Sequence, residues 1–480
     1  MTTTIWFFVT LQIIMGGLDT LVHHELTEKL AWRKSQTQEL KLHAIRNLFY
    51  AVIFFGIGTI EPNGWWAYLV ILGIFIEFLI TLWDFVEEDL TRQLPATERV
   101  LHTLLTANFG VVLALLVPVL WQWGKNDTGM TWTWYGLWSV MTLASAFCVF
   151  VLALRDFHAS RRLKRLDQRS VIDLIPNMGL SKTILITGGT GFIGRRLVPA
   201  LQAQGHKLIV LTRNANNSNL PAPITIIETL EDIDNSDRID VIINLAGESL
   251  SSGLWTRKKR IRMRESRIGL TEKINTMIWR LDHKPELLLN GSAIGVYGVA
   301  PFGELNENSI ISDDGTISQT LCRDWEAEAQ KAEKQGVRVV LLRTGMVLDR
   351  EGGALSQMIV PTELGGGAVF GNGNHMVSWI TRDDLIGLIG HIIMSPNITG
   401  AINGVSPTPV TNKQLIKAVA SALHRPTLTS IPSSLINALG GLGREILMGN
   451  QHVLPTKALS NGYVFKDTDI EITMSQQLRG

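Results

Sequence analysis

The sequence is poor in cysteine, because only Cys148 and Cys322 occur among its 480 residues and they lie far apart. Two distant cysteines exclude a disulfide framework and a cysteine-based metal site, and they fit a reducing compartment. A surplus of charge is also missing, since 44 basic and 43 acidic residues leave a net charge of +1. Without a basic surplus, the composition gives no reason to expect nucleic acid as a partner.

The N-terminus has neither a basic n-region nor a small-residue cleavage site, so we expect its apolar stretch to stay as a membrane span. Long apolar runs and most of the 14 tryptophans fall in the first third of the chain. The remainder is typical of a soluble protein. We therefore predict a transmembrane helical domain at 1–154, a basic linker that acts as a tether at 155–181, a nucleotide-binding domain at 182–400 and a small substrate-side domain at 401–480.

Five stretches are long and apolar enough to cross a bilayer, which takes roughly 17–25 helical residues. They are residues 4–22, 44–60, 65–85, 101–121 and 132–154. Basic residues concentrate in the 23–43 loop, the 86–100 loop and the segment after the last stretch, whereas the other side has Lys125 alone. Basic loops stay inside. We therefore predict a multi-pass protein of the cell (inner) membrane with its N-terminus outside, its C-terminal domain cytoplasmic and the lipid bilayer as a partner.

Acidic residues and histidines recur at the cytoplasmic ends of these stretches, and two Glu/His pairs are spaced four residues apart, so that each pair shares a helix face. Such groups projecting from several helices are how bundles bind metal ions. The candidate ligands for iron or zinc are His23, Glu39, His43, Asp84, Glu98 and His102. Structural polar contacts, a haem or proton handling are the alternatives, because charged groups at helix ends also serve as caps and ion pairs.

A glycine-rich turn begins the soluble part. Residues 182–187 (KTILIT) form a buried-strand pattern, Gly188, Gly191 and Gly194 follow as G-x-x-G-x-x-G, and a helical pattern comes next. In this context the turn lets the backbone approach a pyrophosphate, whose charge the helix N-terminus stabilises.

An acidic residue is missing at the end of the second strand, residues 207–211, where NAD-binding domains usually place one. The chain has Arg213 there, with Arg195 as a candidate helper. An arginine at this point favours a 2′-phosphate and therefore NADP(H) as the cofactor.

From here on the chain resembles the atypical short-chain dehydrogenases labelled NAD-dependent epimerase/dehydratase-like. The matching segments are 244–250 (NLAGESL), Trp255, Ser266-Arg267, Thr271, 292–298 (SAIGVYG), 321–326 (LCRDWE), 342–348 (LRTGMVL), 378–380 (SWI) and 403–405 (NGV). The resemblance implies an α/β Rossmann fold of the extended type, a doubly wound parallel sheet, with a smaller C-terminal part closing over a substrate cleft.

The resemblance also implies which residues meet the cofactor. Gly188, Gly191, Phe192, Ile193 and Gly194 would line the pyrophosphate, Arg213 would meet the adenosine phosphate, Leu245, Ala246, Gly247 and Glu248 would flank the adenine and ribose, and Ser292 with Ala293 would approach the nicotinamide.

The Tyr-x-x-x-Lys pair that short-chain dehydrogenases use for proton transfer is missing from the matching helix, which has Trp325 and Glu326 instead. The candidate catalytic groups that remain are Ser292, which would orient an oxygen, and Tyr297, the nearest acid. At Thr381 the chain also departs from the family, where a histidine is usual after Ser-Trp-Ile.

Two hypotheses follow. The first is a membrane-anchored NADP(H)-dependent oxidoreductase or epimerase-like enzyme, whose small-molecule substrate is lipid-derived or whose electrons pass to a metal or haem in the bundle. The second is a non-catalytic NADP(H) or redox sensor coupled to the membrane helices. The intact cofactor turn favours the enzyme, and the missing Tyr-x-x-x-Lys pair favours the sensor.

Overall fold

The computed structural model describes residues 1–479 except 93, 167–168, 177–178, 216–219, 250–255, 300–302, 364, 428 and 439–440. Trp255, one of the residues that carry the family resemblance, lies outside the described residues. The chain folds into two compact units. We call residues 1–166 the helical unit and residues 167–479 the sheet unit.

The helical unit consists of five long helices and one small two-stranded sheet. Its elements are α1 (Thr3–Asp19), α2 (Thr37–Thr59), β1 (Ile60–Asn63), α3 (Trp65–Thr91), α4 (Ala96–Trp123), β2 (Gly129–Trp132) and α5 (Leu137–Arg165). A π-helix, Thr20–Glu28, continues α1 directly. In the described chain, five helical segments are long and apolar enough to cross a membrane, by length and composition alone.

The helices extend beyond the predicted apolar stretches, mainly at the ends that carry acidic residues and histidines. α2 begins before the stretch predicted at 44–60, and α3 continues past its predicted end at residue 85. The side chains of the polar extensions find buried partners inside the bundle, as Glu39 of α2 does with Arg92, the residue after α3. The fifth helix begins later than predicted, because Gly129–Trp132 instead pairs as an antiparallel strand with Ile60–Asn63.

The sheet unit is built on a seven-stranded parallel sheet, which confirms the predicted Rossmann fold. Its strands, in chain order, are β3 (Thr183–Thr187), β4 (Lys207–Leu211), β5 (Thr225–Ile227), β6 (Val241–Asn244), β7 (Leu287–Ala293), β9 (Arg338–Thr344) and β14 (Gly400–Gly404). In space the order is β14-β9-β7-β6-β3-β4-β5. The chain therefore winds outward in one direction after β3 and in the other after β6, and the switch point lies between these strands.

Shorter strands pair around the sheet. They are β8 (Glu304–Leu305) with β17 (His452–Val453), β10 (Met346–Asp349) with β13 (Trp379–Thr381), β11 (Ala368–Phe370) with β16 (Thr429–Ile431), and β12 (Met376–Val377) with β15 (Val410–Thr411). The predicted division at residue 400 falls at the start of β14. The sheet therefore reaches into the segment predicted as a separate domain.

Helices cover both faces of the sheet. α6 (Gly194–Ala203) and α11 (Arg382–Met394) pack on one face, and α8 (Leu270–Arg280) and α9 (Ile317–Gln330) pack on the other. The remaining helices of the unit are α7 (Arg257–Arg264), α10 (Gly353–Glu363), α12 (Asn412–Ala422), α13 (Ser433–Ala438), α14 (Gly441–Met448), α15 (Thr456–Ser460) and α16 (Ile470–Leu478). Strand β3 shows the two-sided core, because Ile184 and Ile186 pack in one buried cluster and Leu185 packs in the other. Two covered faces explain the continuous apolar run KTILIT.

The predicted linker at 155–181 is not a separate tether. Its first part is helical and completes α5 in the helical unit, while residues 169–176 pack on the sheet unit. Leu174 and Ile175 are 4% and 1% exposed and belong to the same buried cluster as Ile184. Burial of these two apolar side chains holds the segment on the sheet unit. The basic composition of residues 155–169 gave no indication of this packing.

Candidate functional site

The glycine turn lies where β3 ends and α6 begins. Gly188 has a φ of +75°, and a Cβ there would lie 2.8 Å from the backbone of Leu245. A Cβ on Gly194 would lie 2.2 Å from the carbonyl oxygen of Gly188. Both positions therefore require glycine. The turn packs so closely against the segment after β6 that only backbone fits between them.

The helix N-terminus at this turn is open. α6 has no side-chain cap, and the N–H groups of Phe192 and Ile193 meet no acceptor within the described ranges. The N–H of Gly191 donates to Gly188 at 2.9 Å and closes the turn. Free N–H groups at the start of a helix form an anion site, so the turn suits a pyrophosphate.

Phe192 and Ile193 support the turn with their side chains. The ring of Phe192 packs on Gly352 and Gly353, where a Cβ would lie 2.4 and 2.8 Å from ring atoms, and the guanidinium of Arg382 lies 5.1 Å from the ring centre. Ile193 packs against the buried cluster beneath the turn. These two predicted cofactor residues therefore offer their backbone to a ligand.

Arg213 lies at the same edge of the sheet as the turn. Leu211, the last residue of β4, is opposite Thr187, the last residue of β3, so Arg213 and Gly188 follow directly from paired strand ends. The side chain of Arg213 is exposed, and no carboxylate pairs with it within the part of the chain that the structure describes. Arg195, the candidate helper, donates to the carbonyl of Thr190 at 2.9 Å.

Residues 245–248 form the opposite wall. The N–H of Ala246 donates to Thr187 at 3.3 Å, and Leu245 lies against Gly188. A Cβ on Gly247 would lie 2.8 Å from the guanidinium of Arg267, and Glu248 receives a hydrogen bond from Arg267 on its carbonyl at 3.2 Å. The structure therefore brings the predicted residues after β3, β4 and β6 to the same edge of the sheet, at and beside the switch point, where Rossmann sheets bind their ligands.

Ser292 and Tyr297 belong to one buried polar network. Ser292 donates to Glu326 at 2.6 Å, and Arg343 binds both oxygens of Glu326 at 2.9 Å. Arg343 also donates to the hydroxyl oxygen of Tyr297 at 3.0 Å, and that hydroxyl lies 2.9 Å from Asn403. Both predicted hydroxyls are therefore engaged within the protein fold.

Burial governs the chemistry of this network. Desolvation raises the pKa of Tyr297, although the nearby Arg343 opposes the shift. Desolvation also raises the pKa of the Cys322 thiol to about 12, which keeps this thiol protonated at neutral pH. Tyr297 therefore stays neutral and hydrogen-bonded. In a Tyr-x-x-x-Lys pair a lysine activates the tyrosine, and this chain has no lysine at the corresponding position.

Sequence reasoning had not assigned Glu326 and Arg343 a role. Ser292 and Arg343 are opposite each other in the β7–β9 pair, and Glu326 reaches them from α9. The sequence shows a glutamate in the motif LCRDWE and an arginine in the motif LRTGMVL. That the two side chains pair becomes visible only once the strand register is known.

A second group of polar residues lies in the helical unit. We call it the polar cluster, and it consists of Asp19, His24, His43, Glu88, Glu98 and His102. Three of the six predicted metal ligands, His43, Glu98 and His102, belong to it. Asp19, His24 and Glu88 complete it in place of the other three.

The other three predicted ligands lie beside the polar cluster. His23 Nδ1 is 2.8 Å from Asp19, and Glu39 accepts from Arg92 at 3.1 Å. Asp84 pairs with Arg46 and lies 3.0 Å from His43. The sequence prediction assigns His24 to structural contacts at a helix end. It is five residues after Asp19, and the π-helix at this point, with more residues per turn than an α-helix, brings both to the same side.

The sheet unit is similar in sequence to known proteins. The model of the NAD dependent epimerase/dehydratase family matches residues 184–401. The epimerase family protein YfhF of Bacillus subtilis is 36% identical over 297 residues, which are 61% of this chain and 97% of YfhF. The chloroplastic epimerase family protein SDR39U1 homolog of Arabidopsis thaliana is 36% identical over 59% of this chain and 83% of its own.

Solved structures give the same result. The human epimerase family protein SDR39U1, crystallised with NADPH, is 28% identical with a TM-score of 0.56, covering 62% of this chain and 99% of its own. A nucleoside-diphosphate sugar epimerase from Corynebacterium glutamicum is 26% identical with a TM-score of 0.51, covering 74% of this chain and 69% of its own. Together with the glycine turn at the switch point, these findings confirm that the chain belongs to the NAD-dependent epimerase/dehydratase family.

Proposed function

We propose that the sheet unit binds NADP(H) and that the protein is an NADP(H)-dependent oxidoreductase or epimerase-like enzyme acting on a small molecule. The observation that carries the proposal is the convergence of the glycine turn, Arg213 and residues 245–248 at and beside the switch point of the sheet. The human relative crystallised with NADPH supports the choice of cofactor.

The 2′-phosphate is recognised by Arg213 in this proposal. The guanidinium is exposed beside the turn, and Asn214 follows it where a carboxylate would repel a phosphate. Hydrogen bonds between a guanidinium and a phosphate are charge-assisted and stronger than neutral ones. NADPH should therefore bind more tightly than NADH.

Ser292 lies near the carboxyl end of β7. The family resemblance implies that the nicotinamide ring binds at this end of the strand. Because the hydroxyl of Ser292 donates a hydrogen bond to Glu326, the lone pairs of its oxygen can accept a hydrogen bond from a substrate hydroxyl or from a water. We propose that Ser292 orients the substrate oxygen while hydride passes between the substrate carbon and the nicotinamide ring. The proton that accompanies this transfer would be exchanged with water in the cleft.

The network around Tyr297 favours a second candidate, a non-catalytic NADP(H) or redox sensor. Both hydroxyls that sequence analysis singled out are engaged in hydrogen bonds within the fold, and Tyr297 is 5% exposed. An enzyme of this family without an available proton donor would still bind and release the cofactor. Binding without turnover is the behaviour that this candidate requires.

The test is a binding and turnover series on the full chain in detergent. Fluorescence of NADPH would be titrated first, with NADH as the comparison. Oxidation of NADPH would then be followed with carbonyl compounds, and conversion of nucleotide sugars would be followed by chromatography with NADP⁺ present, because an epimerase regenerates its cofactor and consumes no NADPH. Tight NADPH binding with turnover supports the enzyme, and tight binding with no turnover across the panel supports the sensor. Failure to bind NADPH would refute both.

We also propose that the helical unit anchors the protein in the cell membrane. Large apolar side chains point outward from its helices, including Leu137 at 78%, Phe147 at 69% and Val52 at 66% exposure. Exposed apolar surface of this kind is stable in a bilayer rather than in water. The distribution of basic residues supports an orientation with the N-terminus outside and the sheet unit in the cytoplasm.

Membrane attachment would bring the sheet unit close to lipid-derived substrates. We further propose that electrons from NADPH pass to a metal ion or haem in the helical unit. The polar cluster is the observation that supports this proposal, because it offers histidines and carboxylates for ligation.

A further inference from the structure

The polar cluster is assembled from α1, the π-helix, α2, α3 and α4. Asp19 and His24 come from the end of α1 and the π-helix, His43 from α2, Glu88 from α3, and Glu98 and His102 from α4. Glu98, Glu88 and Asp19 are 0%, 1% and 3% exposed. Three carboxylates buried to this degree need partners that compensate for their lost hydration.

The spacing of the atoms is that of a coordination sphere. Asp19 Oδ2 lies 3.1 Å from His102 Nε2 and 3.4 Å from His24 Nε2, and His24 Nε2 lies 3.9 Å from Glu98 Oε1. Ligands bound to zinc at about 2.1 Å in a tetrahedron lie about 3.4 Å from one another. A single ion therefore fits between these four side chains with small adjustments.

Several buried atoms of the cluster point inward without a hydrogen bond. Within the described residues, neither carboxylate oxygen of Glu88 has a hydrogen-bond partner, and the Nε2 atom of His24 has none either. Nε2 of His43 lies 3.0 Å from Asp84 Oδ2. Glu88 lies between two imidazoles, 3.4 Å from His102 and 3.7 Å from His43. A carboxylate and two imidazoles that face each other in this way provide lone pairs for a cation.

The surroundings hold the inner groups in place. His23 contacts Asp19 at 2.8 Å and Thr97 at 3.2 Å, so one oxygen of Asp19 is fixed and the other faces the cluster. Arg92 donates to both oxygens of Glu98, at 2.7 and 2.8 Å. Such outer hydrogen bonds orient the ligands of metal sites.

The charge around the cluster also calls for a cation. Three arginines, Arg46, Arg92 and Arg155, accompany seven buried carboxylates of the helical unit, which are Asp19, Glu39, Glu77, Asp84, Glu88, Glu98 and Asp156. With neutral histidines and ionised carboxylates this leaves four negative charges. A divalent ion compensates for two of them, whereas a metal-free cluster must take up protons on its histidines or its carboxylates.

We propose that the polar cluster binds a divalent first-row transition-metal ion through Asp19, His24, Glu98 and His102, with Glu88 and His43 beside it. Imidazole and carboxylate ligands suit zinc, iron and manganese rather than copper(I). The site does not depend on nucleotide binding by the sheet unit.

A cavity gives the ion an open position. It has a volume of about 360 Å³ within the helical unit, and its lining includes the polar side chains of Asp19, His24 and His102 and the rings of Tyr50, Phe54 and Phe109. An ion with a free coordination position is typical of reactive rather than structural metal sites. A small anion such as azide should therefore reach the ion without unfolding the bundle.

Metal analysis of the full chain tests the proposal. The protein would be purified in detergent, freed of any affinity tag and measured by mass spectrometry for zinc, iron and manganese. We expect about one transition-metal ion per chain and at least a tenfold loss of metal in Asp19→Asn and in His102→Ala. The matched control is His158→Ala, since His158 is an exposed histidine on α5 of the same unit and should keep the metal.

Cobalt reconstitution keeps the test decisive if a variant fails to fold. Wild-type protein stripped by a chelator should take up one Co²⁺, show visible d–d absorption that changes on adding azide, and unfold at a higher temperature than the stripped form. Protein that is metal-free as purified and binds no Co²⁺ would overturn the proposal and leave protons on the histidines or carboxylates as the compensating charge. Metal that survives in both folded variants would overturn it equally.

Discussion

Arg213 decides which dinucleotide the proposed site prefers. Replacing it by alanine in the full chain should weaken NADPH binding about 10- to 100-fold, because a hydrogen bond to a charged group contributes about 1.5–3 kcal/mol. NADH, which has no 2′-phosphate, should bind as before. The measurement is a fluorescence titration of each cofactor.

Arg238→Ala is the control for this change, because Arg238 is exposed and precedes β6 at the opposite edge of the sheet from the turn. Its affinity for NADPH should equal that of the wild type. Equal NADPH affinity of Arg213→Ala and wild type would show that the arginine has no part in phosphate recognition.

Tyr297 is expected to act as a structural residue. Tyr297→Phe removes the donor to Asn403 and the acceptor for Arg343, both buried. Leaving such groups without a partner costs about 1–3 kcal/mol, so the midpoint of thermal unfolding of the sheet unit should fall by several degrees. NADPH affinity should not change. Loss of turnover with unchanged stability would instead identify Tyr297 as a proton donor.

Part of the site could be predicted from individual residues. Gly188, Gly191 and Gly194 were recognisable because strand, turn and helix are adjacent in sequence and their geometry is local. The partnership of Ser292 with Glu326 and Arg343 was not, since it depends on the register of β7 against β9 and on where α9 packs. The contact of Phe192 with Gly352 could not be predicted either, because the two residues are far apart in the sequence and meet only in the folded chain.

Among the elements, the segment at 169–176 departs most from its sequence prediction. A Cβ on Gly390 of α11 would lie 2.6 Å from Ile175, so this side chain fills a tight space on the sheet unit. Ile175→Ala should destabilise the unit by about 2–5 kcal/mol. The expected result is a lower unfolding midpoint in calorimetry of the full chain.

Ile172→Ala is the matched control, because Ile172 lies in the same segment and is 55% exposed. It should leave the unfolding midpoint within about 1 °C of the wild type, since exposed substitutions are close to neutral. If both variants unfold together with the wild type, residues 169–176 act as a free tether after all.

The π-helix at Thr20–Glu28 shows why the ligand set differs from the predicted one. A spacing of four residues pairs Asp19 with His23 on an α-helix, and the structure keeps that pair. The wider turn adds His24 to the same side. Sequence periodicity assumes 3.6 residues per turn, so it has no means of finding a residue that a π-helix positions.

At the scale of the whole molecule, the structure divides into two units, and the compositional change along the sequence lies close to that division. The tryptophan-rich, apolar first third became the helical unit, and the sheet unit follows with its family resemblance confirmed. The division itself falls near residue 166 because α5 continues through its basic end, and apolarity alone marks only the part of a helix that suits a bilayer.

The proposed orientation predicts the outcome of topology reporters. Alkaline phosphatase fused after the C-terminus should be inactive, since it would stay in the cytoplasm, and a fluorescent protein at the same place should fold and emit. Phosphatase inserted at the turn of residues 124–128, which contains Lys125, should be active. An active C-terminal phosphatase would place the sheet unit outside the cell and contradict the proposal.

The most direct test of the central claim is a structure of the full chain with NADPH. The account predicts density for the pyrophosphate between the turn at Gly188 and residues 245–248, with the 2′-phosphate at the guanidinium of Arg213. A map at saturating NADPH that shows this switch point empty, or the dinucleotide bound elsewhere, would contradict it.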